Sequence, residues 1–107
     1  MPRTVHFVVD AEHDLEELYV FLLENDSPEA ADAILSRIVA ACDSLSELPH
    51  RGHCPPELEL LGILAFRELR AGVHRLIYEI RDDDVVVHAV LDARRDLRDI
   101  LAERLAR

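Results

Sequence analysis

The chain has no lysine and no tryptophan, and only five aromatic residues, two cysteines and three glycines among its 107 positions. Each scarcity excludes something. Cys42 and Cys54 are too few for a disulfide framework, so the core must be hydrophobic and a reducing cytosol is the expected compartment. No apolar run approaches the ~20 residues that span a bilayer, and the opening Met1-Pro2-Arg3-Thr4 has no signal-peptide plan. A membrane is not an expected partner. Without lysine, twelve arginines face 22 Asp and Glu, for a net charge of −10. That balance disfavours long-range attraction to nucleic acid, though not a local arginine patch.

What is present is enough for one domain. A chain of this length buries roughly 60–70% of the surface it exposes when unfolded, and half of these residues are hydrophobic. The charge is unevenly placed. Residues 1–36 hold nine acids and one arginine, while residues 61–107 hold nine of each. The acid excess belongs to the front half; the back half is neutral and rich in arginine.

Val5–Val9 is β-branched and reads as a first strand. Asp10 is placed to cap a helix, with Leu15, Leu18, Tyr19, Leu22 and Leu23 as its inner stripe. The helix should break at Asn25-Asp26. Ser27-Pro28 then restarts one, with Ser as cap and Pro at the first helical position. Its stripe is Ala31, Ile34, Leu35, Ile38, Cys42, Leu45 and Leu48, and Pro49 is expected to stop it. So short a connection predicts an antiparallel helical hairpin. Residues 49–57 read as a loop. Two runs follow, Ile63–Leu69 and Val73–Ile80, joined across Arg70-Ala71-Gly72 as a tight hairpin. In the second, Leu76, Tyr78 and Ile80 share one face, and Val73, Arg75, Ile77 and Glu79 the other. A turn at Asp82-Asp83-Asp84 leads to Val85–Leu91, nearly all apolar and so expected to be buried on both faces. Leu97, Ile100, Leu101 and Leu105 predict a C-terminal helix. The order is β-α-α-β-β-β-α, an α+β fold.

In that order, four stretches carry a resemblance that covers nearly the whole chain. They are Asp26–Ala31 between the helices; Leu48-Pro49-His50-Arg51-Gly52; Arg67-Glu68-Leu69 leading to Gly72–Tyr78; and Val85–Arg95, ending Ala93-Arg94-Arg95. Together they resemble the RelE/ParE superfamily of bacterial type II toxin–antitoxin toxins. The resemblance implies a small antiparallel sheet with an N-terminal helical hairpin packed on it. It also implies a cognate antitoxin as partner, in a toxin–antitoxin hetero-oligomer without cofactors.

The superfamily has two branches, ribosome-dependent mRNA endonucleases (RelE-like) and DNA gyrase poisons (ParE-like). Ribonuclease chemistry needs cations at the scissile phosphate and a proton donor and acceptor beside it. In the RelE pattern the matching residues are Arg75 and Arg95, with Tyr78 a substitute general acid in place of a tail Tyr. Phe66 and Glu68 stand where that pattern has bases, and Leu101 where it has the Tyr. Ser27–Ala31, Arg67-Glu68-Leu69 and Ala93-Arg94-Arg95 look more like ParE, so the gyrase-directed branch is favoured. The expected target-binding residues are Arg67, Arg70, Arg75, Arg94 and Arg95. A wrapping antitoxin requires exposed apolar positions, and Val20, Phe21, Leu58, Leu60 and Leu61 are the candidates. A decayed member that keeps its antitoxin but poisons nothing is the third reading, prompted by the −10 charge.

Other clusters have plainer explanations. His50-x-x-His53-Cys54 lacks the fourth ligand of a structural zinc site, and no metal is expected. Cys54 has no placed base. His6, His74 and His88 are expected as separate half-buried strand residues. The three consecutive aspartates lack the spacing of a calcium loop and read as a polar turn guarding a sheet edge. The arginines have acids close enough in sequence (Glu68, Glu79, Asp96) for a structural ion-pair network.

Overall fold

The computed structural model describes residues 2–105, with side-chain environments for residues 2–104. The elements are β1 (Thr4–Phe7), α1 (Val9–Asn25), α2 (Pro28–Ser44), α3 (Pro56–Glu59), β2 (Phe66–Ala71), β3 (His74–Arg81), β4 (Asp84–Asp92) and α4 (Leu97–Leu105). The four strands form one sheet in the order β1-β4-β3-β2. β2, β3 and β4 run antiparallel, while β1 adds to β4 in parallel.

The helical hairpin forms as its signals predict, with differences at the ends. The Ser27 hydroxyl accepts the Ala30 N–H at 3.1 Å, with Pro28 opening α2. At α1 the cap is Val8, not Asp10. The Val8 N–H is still bonded to Val87 of the sheet while its carbonyl already accepts the Glu12 N–H. Strand passes directly into helix, and Asp10 and Glu12 lie in the first turn, where carboxylates face unpaired N–H groups. The inner stripe is narrower than expected. Ala11, Leu15, Leu18 and Leu22 carry it, and Tyr19 and Leu23 are exposed. The Tyr19 hydroxyl reaches across to Asp32 of α2. α2 ends at Ser44, well before Pro49, which leaves Leu48 in solvent.

Two cores lie on opposite faces of the sheet. Ala11, Ile38, Cys42 and Leu45 of the helical hairpin pack on Leu76, Tyr78, Val85, Val87 and Val90. Leu58 of α3 and Leu97 and Ile100 of α4 cover the other face, against Ile77, Ala89 and Leu91. β4 is therefore buried on both sides. Its register with β3 slips at Ile77/Tyr78, so His88 is an extra residue. The slip reverses the alternation: Val85 and Val87 face the hairpin, and so does Val90.

The turn between β2 and β3 is Gly72-Val73, one residue later than expected, with Ala71 opposite His74. Gly72 has φ +63 and Val73 is not left-handed, the pattern of a type II′ hairpin. Asp82 takes φ +54 in the next turn, a region that Asp tolerates better than most residues.

Candidate functional site

Arg75 lies on the β3 face turned toward α3 and α4, and it is 5% exposed. Burial of a guanidinium is costly unless its donors are matched. Here they are matched by two carboxylates and a carbonyl. Its two terminal nitrogens donate to both oxygens of Glu57 at 2.7 Å. One of them also meets Glu68 at 2.7 Å and the other the Arg95 carbonyl at 3.1 Å, while Nε meets Glu68 at 3.2 Å. Glu57 in turn accepts the Leu97 N–H at the start of α4, 2.8 Å away. The cluster thus joins α3, β2, β3 and α4. The Arg75 bonds hold the Glu57 carboxyl down to about 2, and the same contacts raise Arg75 further.

This corrects the expectation that Arg75 is a free cation on a working surface. Two negative charges enclose one positive, so neither a phosphate nor a protein carboxylate meets an unshared guanidinium. Glu68, where a nuclease would carry a base, is one of the two. Arg67 is also engaged: it donates to the His50 and Gly52 carbonyls at 3.0 and 2.7 Å, and its Nε is buried without a partner. Arg70 is exposed, 3.9 Å from Glu68. Arg94 is exposed and held by Asp92, whose carboxyl it lowers to about 2. Arg95 is exposed and loosely paired with Glu103, 3.9 Å away, and it lines a polar hollow that also holds Asp14 and Glu17. Arg67, Arg75 and Arg95 therefore form no common cationic face.

Tyr78 is fully buried between Gly52 and Pro49. Its hydroxyl accepts the Gly52 N–H at 3.1 Å and donates to the Pro49 carbonyl at 2.7 Å. With both roles filled in the interior it has no access to a substrate, which corrects its candidacy as a general acid. The function of these bonds is to close residues 49–53 over the hairpin, helped by the His53–Glu68 backbone bridge. Among the described residues no group of three His, Cys, Asp or Glu is arranged to hold a metal. His6 is near Asp84 and His88 near Glu79, while burial lowers His74, so the histidines are dispersed. Burial pushes the Cys42 thiol up to about 12.

Of the expected antitoxin positions, Val20, Phe21, Leu60 and Leu61 are exposed. Leu58 is not. At 1% exposure it is the centre of the second core, because α3 turns it inward and its neighbours outward. Ile63, Leu64 and Val73 are further exposed apolar residues. Phe21 and Leu18 of α1, Val73 at the hairpin tip and Leu91 line a groove of about 630 Å³, together with the charged Asp14, Glu17, Asp92 and Arg95. On the other side of Phe21 is a shallow shelf formed with Val20, Glu16, Glu17 and Glu24.

The family model described as the ParE toxin of the type II toxin–antitoxin system parDE matches residues 5–97. The chain belongs to the ParE toxin family. Among solved structures, a chromosomal ParDE system from P. aeruginosa superposes with a TM-score of 0.69 at 15% identity, covering 84% of this chain and 95% of that one. The toxin–antitoxin complex RelBE2 from Mycobacterium tuberculosis gives 0.64 at 27% identity, covering 86% and 99%. Comparison with curated proteins finds no match. The ParE match spans all four of the stretches that carry the likeness in sequence. The Pro49–Gly52 and Arg67–Tyr78 stretches prove to be one unit, in which the first is strapped onto the second. In this ParE-family chain, sequence reasoning missed Glu57 and Val73. Glu57 gave no signal, because its partner is 18 positions away across an irregular loop.

Proposed function

We propose that this chain is a toxin that acts by protein–protein contact, binding and poisoning DNA gyrase, and that a cognate antitoxin neutralises it in a hetero-oligomer in the bacterial cytosol. The observation that carries the proposal is the enclosure of Arg75 by Glu57 and Glu68. Phosphodiester cleavage needs a cation free to meet developing negative charge, and a cation already shared by two carboxylates is a poor candidate. A contact-acting toxin has no such requirement. The family match supports the gyrase direction, and the relatives solved as toxin–antitoxin systems support the antitoxin. The exposed arginines Arg70, Arg94 and Arg95 are the residues left to meet the target, and Val20, Phe21, Leu60 and Leu61 to meet the antitoxin. Among the described residues no helix is long and apolar enough to cross a membrane.

The rival reading is a ribosome-dependent endoribonuclease. Its support is Arg95, exposed and only loosely paired. Induction of the chain in a bacterial host, with mRNA ends mapped and purified gyrase assayed for supercoiling, separates the two. Inhibited gyrase with intact mRNA supports the proposal; ribosome-dependent cuts with active gyrase support the rival. Normal growth with soluble, folded protein supports a member that has lost its toxicity.

A further inference from the structure

The outer side of α1 combines two things that seldom share a helix face without a partner. Phe21 is 57% exposed and lies between the groove that reaches Val73 and the shelf that holds Val20. The shelf's only charged residues are Glu16, Glu17 and Glu24, and none of the three takes part in an ion pair or side-chain hydrogen bond among the described residues. The other acids that line the groove differ: Asp14 is bonded to Arg104, and Asp92 to Arg94. Of the acids that line the groove and the shelf, Glu16, Glu17 and Glu24 are thus the three without such a partner, and Glu17 lines the groove together with Arg95. The whole chain carries −10, with most of the excess in residues 1–36.

The geometry points to a partner segment that is amphipathic and cationic: an apolar side chain seated between Phe21 and Val73, with Arg or Lys side chains along the flank facing Glu16, Glu17 and Glu24. This rests on the antitoxin reading above, and adds that the antitoxin segment docking here is basic on that flank. A second copy of this chain is disfavoured as occupant, because it brings the same acidic α1 face and the same excess charge. Complementary charge around an apolar anchor sets the encounter rate and register, while the anchor supplies most of the hold.

The test uses the full chain and two probes. One is a helical peptide of roughly 18 residues with Leu at every third or fourth position and Arg along one flank; the other has each Arg replaced by Glu. Calorimetric titration should show the Arg peptide binding and the Glu peptide not, with affinity falling several-fold as salt rises from about 50 to 300 mM. Phe21→Ser should weaken binding about 30-fold. The triple change Glu16→Gln, Glu17→Gln and Glu24→Gln should weaken it about tenfold and flatten the salt dependence. All these side chains are exposed, so unaltered thermal unfolding of each variant certifies the fold. Equal binding of both peptides, or Arg-peptide affinity indifferent to Phe21→Ser, overturns the proposal. The same variants are then titrated with the protein encoded beside the chain's gene. If that antitoxin binds them as tightly as the parent, the groove assignment fails and the antitoxin reading stands. If it does not bind or relieve growth arrest, while the Arg peptide still binds through Phe21, the antitoxin reading fails and the groove stands.

Discussion

Glu57 is the residue on which the arrangement around Arg75 turns. It gives Arg75 two short bonds and caps the first turn of α4 with the same carboxylate. Glu57→Gln should lower stability by about 2–3 kcal/mol, read from the urea midpoint, because Arg75 keeps Glu68 but loses a bidentate partner. The pH dependence has a definite sign. The Glu57 carboxyl sits at about 2 in the folded chain against an ordinary value of 4.5. Its contribution is therefore complete above about 4.5 and lost as pH falls from there through about 2. In Glu57→Gln the acid slope in that window should flatten; Asp92 and Asp96, also lowered by arginines, keep part of it. Tyr78→Phe removes an acceptor for Gly52 and a donor for Pro49, leaving both unmatched in the interior. A loss of about 1–3 kcal/mol is expected by chemical denaturation. At this scale the sequence is only half readable. Glu68 is close enough to Arg75 to be suspected as its partner, and the placement of Tyr78 with Leu76 and Ile80 follows from strand alternation. The Glu57 contact depends on how an irregular loop returns to the sheet, which no local pattern encodes.

The strap formed by residues 49–53 and the β2–β3 hairpin behave as one unit. Gly52 makes their close approach possible: a Cβ there would meet the Glu68 carbonyl at 2.5 Å and the Tyr78 hydroxyl at 2.6 Å. Gly52→Ala must push the strap outward, breaking the His53–Glu68 bridge. The expected cost is about 1–3 kcal/mol, with faster amide exchange at Gly52, His53 and Glu68 as the local readout. The elements themselves were largely visible. The Ser27-Pro28 start, the break at Asn25-Asp26, the short turns and the doubly buried β4 all follow from local chemistry and periodicity. Four things were not. The start of α1 at Val9 depends on a Val8 bond to the sheet; α2 ends before Pro49; the bulge at His88 is a register event between strands; and α3 is a single turn. Leu58 shows the consequence. Read as part of an exposed apolar run, it is turned into the core by that one turn of helix.

For the whole molecule, the uneven charge is the feature that composition showed first and structure located. Burial of the acid-rich hairpin's apolar stripe leaves its carboxylates on the outer side, and the arginines of the back half are mostly neutralised within the fold. Of the five arginines expected to meet a target, Arg75 is buried and the half-buried Arg67 is tied to the carbonyls of His50 and Gly52. Arg70→Ala, Arg94→Ala and Arg95→Ala should each reduce target inhibition while leaving the thermal midpoint within a few degrees of the parent, since exposed pairs contribute about 0–1 kcal/mol. Arg75→Met should instead unfold or strongly destabilise the chain, because it strands two carboxylates. The most direct test of the central claim is gyrase itself: purified chain added to a supercoiling reaction, with mRNA ends mapped from cells in which the chain is induced. A contact-acting toxin should inhibit supercoiling, trap gyrase–DNA breaks and leave no new mRNA ends. Ribosome-dependent mRNA cuts beside fully active gyrase would contradict it.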